Sequence, residues 1–283
     1  MLCGPLVPAV PSCILDPLRE AFLALLPPRV DEHPLGCHRP RIDDAVVFDK
    51  LVEALVFGAG YERIADADCS ATTMRRRRDE WIALGVFDRL RLACLDAYET
   101  MIGLDLADVA VDGCTTKAPC GGECAGRSPV DRAKGGLQRS QLTDGAGIPL
   151  ATVSAPANTV DHALLPETLD ALKDFQPLPA GATAHLDAGY DYRPCREDER
   201  GLLGQIAHRG EPAPIQVGQR WVVERTNSWL NDFGRLRRCT ERCRACVDAY
   251  LALAAAIVTV RALCRAAWLL YRWDTRPRSR RIR

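Results

Sequence analysis

The side chains best suited to chemistry are three carboxylates in unlike settings: Asp112 in DVAVDG, Asp187 in TAHLDAGYD and Glu224 in RWVVERTNSWL. Each aspartate ends a short apolar run that reads as a buried strand, so each is expected at a strand tip. Glu224 lies in a stretch of helical texture, among Trp221, Arg225 and Trp229. Taken singly, an aspartate after a strand is more often a turn former and a helical glutamate is usually solvated. The set of three is what points to chemistry. Attack on a phosphodiester builds negative charge on both the attacking and the leaving oxygen, and two divalent ions about 3.5–4 Å apart can neutralise both. Mg²⁺ takes a few carboxylates and keeps water and phosphate oxygens for its remaining positions. Three carboxylates therefore suffice. On this reading Asp112 bridges two Mg²⁺ ions, Asp187 holds one and Glu224 the other, with Mn²⁺ able to substitute. No protein nucleophile is needed, and no convincing Cys-His or Ser-His constellation competes.

These residues need a scaffold, and the texture of the chain supplies one from Asp108 onward. Strand-like runs appear at DVAVDG, LQRSQLTD, PLATVSA and TAHLD, punctuated by Gly and Pro. ANTVDHALLPETLDALKDF reads as a helix before the strand that carries Asp187. Three strands, a helix, a strand and then helices predict an α/β fold with a mixed sheet flanked by helices. The glycine-rich loop CGGECAGRSPVDRAKGG, close to Asp112, is expected to be mobile. His185 is expected to face away from Asp187 and to serve packing.

Residues 14–105 read as a separate all-α region. ILDPLREAFLALL is amphipathic, and IDDAVVFDKLVEALVFGAG opens on acidic residues and closes on glycines, as a helix should. YERIADADC, a tight turn at Cys69-Ser70 and a longer helix from Ala71 resemble a helix-turn-helix. In that arrangement Thr72, Thr73, Arg75, Arg76, Arg77 and Arg78 would approach duplex DNA. Four consecutive arginines cover every direction of a helix, so a solvated basic face is the plain alternative. The domain division expected is thus 14–105 helical and DNA-binding, 106–272 catalytic, and 273–283 a basic, disordered tail.

Formal net charge is zero over 283 residues. From Arg225 to Arg283, however, 14 Arg stand against 4 Asp or Glu, a local balance of +10 that leaves −10 on the remainder. One basic and one acidic region suit a protein that grips a polyanion with one face. The 13 cysteines are an odd number, so complete internal pairing is impossible, and reduced thiols in a cytoplasm are the simpler expectation. Cys239, Cys243 and Cys246, with Cys114, Cys120 and Cys124, raise the question of zinc. Arg242 and Arg244 crowd the first group and no histidine is near, so small packed cysteines are the favoured reading. The apolar run from Ala249 to Tyr271 is interrupted by Arg261 and Arg265, which share a helical face. That is a core helix with one wet stripe, not a bilayer span.

The segments VDGCTTKAP, GRSPVDRAKGGLQRSQLTDGAGIPL, ANTVDHALLPETL, HLDAGYD and RWVVERTNSWLNDFGRLRRCTER together resemble bacterial insertion-sequence transposases of the DDE class, in the insertion-sequence-five family. The likeness covers about residues 14 to 265. It implies a ribonuclease-H-like core, a helical DNA-binding region, and catalytic carboxylates at Asp112, Asp187 and Glu224, 75 and 37 positions apart. It also implies Mg²⁺ dependence, terminal inverted repeats and target DNA as substrates, a homo-oligomer on paired ends, and a cytoplasmic, nucleoid-associated place in a bacterium. Within the family's signature Arg220 fits, whereas Val217 stands where tyrosine is usual and Asn231 where a basic residue is. Arg225, Arg235, Arg237 and Arg238 are expected to supply phosphate contacts instead. Two other readings remain: a DNA-binding protein that occupies its repeats without cutting, and a nuclease on the same core that cuts without joining.

Overall fold

The computed structural model describes residues 9–28, 41–192, 202–207 and 221–271 of the chain. Five helices come first: α1 (Ser12–Ala24), α2 (Asp44–Phe57), α3 (Tyr61–Ile64), α4 (Ala71–Ala83) and α5 (Val86–Met101). Their ends follow local chemistry. Asp43 caps α2, its carboxylate accepting the Ala45 N–H at 2.9 Å, and Gly58 closes the helix in the left-handed region at φ 63°. Ser70 caps α4 by accepting the Thr73 N–H at 3.2 Å. Around Cys69-Ser70 the helix expected to run to Cys69 is only the four-residue α3, and in place of a tight turn a six-residue connection, 65–70, leads into α4.

A single mixed sheet follows, built from β1 (Asp108–Lys117), β2 (Gly126–Arg127), β3 (Gly135–Asp144), β4 (Pro149–Pro156), β5 (Thr183–Leu186) and β6 (Leu203–Ile206). β1 is central. It runs antiparallel to β3 on one side and parallel to β5 on the other, and β6 extends the parallel half. β4 and β2 both pair with the far edge of β3. Helix α6 (Asp161–Asp170) lies between β4 and β5, and α7 (Trp221–Asn231), α8 (Gly234–Arg237) and α9 (Arg244–Tyr271) complete the fold. Alternation along β1 assigns the two faces of the sheet. Ala110 packs with Val222 and Val223 of α7, while Val109 and Val111 pack with Leu165 and Leu169 of α6.

The helical region expected to stand apart shares a core with the rest. Phe22, Phe48, Trp81 and Phe87 from α1, α2, α4 and α5 form an aromatic cluster. It is continuous with Leu253, Ile257 and Val258 of α9. The physical reason is α9 itself: from Ala249 to Val260 it is apolar almost all round and must be covered, and the N-terminal helices help to cover it. By length and composition α9 could cross a membrane, but 78% of its most apolar window is buried within the fold. Arg261 and Arg265 form its exposed stripe, as expected. The α2–α8 crossing depends on paired glycines. A Cβ on Gly58 would stand 2.6 Å from the carbonyl carbon of Gly234, and one on Gly234 would stand 2.8 Å from the Gly58 nitrogen.

Candidate active site

Asp112 was expected to close β1, but β1 continues five residues beyond it, to Lys117, because its antiparallel pairing with β3 persists that far. On the other side the parallel pairing with β5 ends at Val111 and Leu186. Asp112 therefore sits at the point where its neighbour strand stops, and Asp187 is the first residue past that neighbour's end. The two aspartates come from adjacent strands at the same level of the sheet. Glu224 lies in the first turn of α7, above the Ala110–Asp112 face, and it lines the same cleft as Asp112.

That cleft has a volume of about 410 Å³ and also includes Gly113, Cys114, Asn227, Asn231 and Arg237. Asn227 donates to Asp112 Oδ2 at 3.2 Å. Burial pushes the Asp112 carboxyl up to about 6; the charges of Glu224 and Asp161 add to the rise, and the Gly113 N–H and the Asn227 amide oppose it. Asp161, the first residue of α6, is the carboxylate that sequence reasoning missed. Its acidity is likewise weakened by burial and by the charge of Asp187, against the support of Gln138. It accepts a hydrogen bond from Gln138 Nε2, whose Oε1 accepts from Thr115. Gly113 makes room for it: a Cβ there would stand 2.0 Å from Asp161 Oδ1. The glycine after Asp112 and the aspartate in ANTVDHALL are thus two halves of one contact, a link that neither segment reveals alone.

Among the described residues no three His, Cys, Asp or Glu side chains form a group that could hold a metal ion, at this cleft or at the cysteines. The ten described cysteines are free thiols, with Cys239 and Cys246 buried and Cys243 exposed. His185 does not only pack: its Nε2 lies 2.6 Å from Asp108 Oδ1.

The basic residues divide sharply. Arg237 and Arg238 are exposed beside the cleft. Arg225 is half-buried, stacked between Trp221 and Trp229 at 4.4 and 4.7 Å, and donates to the Ala146 carbonyl. On α4, Thr72 and Arg76 are exposed, and Thr73 and Arg75 are partly so, with Arg75 paired to Glu62 at 2.8 Å. Arg77, Arg78 and Arg235, expected on DNA, point inward instead. Arg77 binds Asp44 at 2.6 Å and the Ile42 carbonyl. Arg78 and Arg235 converge on Glu241 and Tyr61. A helix seated on a core must bury one face, and in a run of four arginines two of them fall on it. Arg220 and Val217 lie outside the described residues. Sequence reasoning also passed over Arg139 of β3, which is fully buried and donates to Asn231 Oδ1 at 2.6 Å and to the Cys114 sulfur. It ties α7 to the sheet under the cleft.

Over 149 residues, 50% of this chain and 71% of the relative, the sequence is 35% identical to a Burkholderia cepacia protein named "Putative transposase for insertion sequence element IS402". No family model matches the chain. No solved structure matches it.

Proposed function

The chain belongs to the insertion-sequence transposases, and from that premise we propose that it binds the terminal inverted repeats of its element as duplex DNA, cleaves the ends by metal-dependent hydrolysis and joins the 3′-OH ends to target DNA. The observation that carries this reading is the meeting of Asp112 with the end of the strand before Asp187, in a cleft that Glu224 overhangs. A central strand with an antiparallel neighbour on one side and a parallel one on the other, covered by helices on both faces, supports a ribonuclease-H-like core of the DDE class.

In kind the donors suit Mg²⁺, although as they stand they do not form a three-ligand group: they are carboxylate oxygens and an amide, without imidazole, and among the described residues no Lys or Arg is ion-paired with Asp112, Asp161 or Glu224. Asp112, Asp187 and Glu224 would hold the metal, or Mn²⁺ in its place. When bound, the metal supplies positive charge against the scissile phosphate and acidity to an attacking water. The protein's own groups do the rest. Asn227 fixes the Asp112 carboxylate toward the cleft. Asp161, tethered by Gln138, adds negative charge that favours a cation there. Arg237 and Arg238 are positioned for phosphate contact at the rim, since a guanidinium offers paired donors to phosphate oxygens. Thr72, Thr73, Arg75 and Arg76 form the exposed part of α4 that would meet the duplex, in the manner of a helix-turn-helix. Two element ends handled together would bring two copies of the chain onto one complex.

A second reading, a repeat-binding protein that does not cut, draws on the absence of a ready three-ligand group among the described residues. One experiment separates the two: incubation of a labelled terminal-repeat duplex with the protein in Mg²⁺ or Mn²⁺, beside Asp187→Ala. Metal-dependent nicking at the repeat end, lost in the variant, is the expected result. Binding with no cutting by either protein would overturn the enzyme reading.

A further inference from the structure

On the neighbouring face of α7 from the cleft lies a second cavity, of about 420 Å³, between α7 and α9. Arg225 of α7 and Arg261 and Arg265 of α9 all line it, with Trp229 beside them and Asp232 as the one carboxylate. Arg261 and Arg265 are four residues apart, so they project from one face of α9. Both are exposed, and among the described residues neither has a carboxylate partner, although Arg261 lies over the Phe233 ring at 5.8 Å. Arg225 is held rigidly by its two tryptophans and the Ala146 carbonyl, and its Nε is buried without a hydrogen-bond partner. Burial and the charge of Arg265 both work against its protonated form. Three guanidinium groups thus line one concave site whose remaining wall is largely apolar, and of these Arg225 and Arg265 repel each other, with one of the pair pre-positioned and incompletely satisfied.

The geometry points to a phosphate-binding pocket, formed by Arg225, Arg261 and Arg265, that takes a backbone phosphate of the same DNA strand whose cleavage is proposed at Asp112. It rests on the reading of the chain as a DNA-cleaving transposase. The two cavities share Asp232 and are separated only by α7. A strand that crosses α7 at the cleft therefore runs on past the second cavity. Trp229, at the pocket wall and already carrying Arg225 on its ring, offers a flat apolar surface beside that phosphate.

The test is binding of a fluorescein-labelled 30-base-pair duplex in EDTA, followed by anisotropy from low to high salt, for the full chain and for Arg261→Gln/Arg265→Gln. Each phosphate contact contributes about 0.9 to the slope of log affinity against log salt. The double variant should lose about one unit of slope and roughly five- to tenfold in affinity near 0.15 M salt, with an unchanged melting temperature. Arg261→Lys/Arg265→Lys should recover the slope. An unchanged slope in the glutamine variant, or no recovery with lysine, overturns the proposal. Inorganic phosphate separates the sources: if it stabilises the wild type but not the glutamine variant while DNA binding is the same in both, the pocket takes free anions and not DNA. Because binding is read without metal, a wild type that binds but never cuts would sink the cleavage reading and leave this pocket standing. One that cuts with an unaltered salt slope in the variant would do the reverse.

Discussion

Two charged clusters, one around Arg235 of α8 and one at the cleft, are built on contrary rules. In the first, Arg78, Arg235, Glu241, Tyr61 and Tyr250 interlock. Arg78 donates to Tyr61 at 2.8 Å and to Glu241 at 3.2 Å, Arg235 pairs with Glu241, and the two tyrosine hydroxyls meet at 2.7 Å. Arg235 spends its remaining donors on the Ala54 and Ala59 carbonyls and lies over both tyrosine rings. Burial works against the Arg78 charge, yet Tyr61, Asp79 and Glu241 outweigh it. In the second, Asp112 and Glu224 at the cleft and Asp161 behind it have like charge, and an amide and a backbone N–H are the main support for Asp112. Opposite charges that satisfy one another hold α3, α4 and α8 together. Like charges left uncompensated cost stability and keep affinity for a cation in reserve.

The largest expected effect comes from breaking the satisfied cluster. Glu241→Ala leaves two buried guanidinium groups without their shared carboxylate and should lower the unfolding free energy by about 3–5 kcal/mol. Urea unfolding measures this directly, and a loss below about 1 kcal/mol would mean that the cluster is ornamental. The cleft should behave in the contrary way. Asp112→Asn removes a carboxylate proposed to hold the metal, so cleavage should fall by on the order of a thousandfold, while the loss of a like charge lets the fold keep or gain stability. The pH dependence sharpens this. The folded Asp112 carboxyl titrates near 6, above its ordinary value, so the folded state binds the proton more tightly than the unfolded chain does. Its stabilising contribution is complete below about pH 4, declines as pH rises toward 6 and stays lost above that, a span on the order of 2–3 kcal/mol. Asp144, pushed by burial to a similar value, contributes a parallel slope and remains in the variant as an internal control. If unfolding of Asp112→Asn between pH 4 and 7 matched the wild type, the carboxylate would not be strained.

The same contrast explains what could be read in advance. The four apolar runs that read as strands became β1, β3, β4 and β5, because burial of Val109, Leu142, Leu150 and Leu186 demands that periodicity. β6, with a largely exposed LGQI, carries no such signal and was unread, as was the two-residue β2 inside the glycine-rich loop. The three carboxylates are visible because each lies within or just past a recognisable element, Asp112 in β1, Asp187 after β5 and Glu224 in α7. Asp161 is not, since its relation to Asp112 runs through the missing side chain of Gly113, 48 positions away. The basic residues were least legible. A guanidinium looks the same in sequence whether it faces DNA or Glu241, and the partner that decides lies 163 positions from Arg78.

The four arginines of α4 allow the smallest and cleanest division between the two kinds of charge. Arg76 is exposed and Arg77 is buried against Asp44, one residue and about 100° of helix apart. Arg77→Gln should destabilise the fold by about 1 kcal/mol or more, because Asp44 and the Ile42 carbonyl lose a buried donor. Arg76→Gln should change stability by no more than about 0.5 kcal/mol. If α4 meets the duplex as proposed, Arg76→Gln should nonetheless take about 0.9 from the salt slope of DNA binding. Melting and anisotropy on the two variants read these effects independently. A slope left unchanged by Arg76→Gln, or changed only by Arg77→Gln, would mean that the exposed side of α4 is not the one that meets DNA.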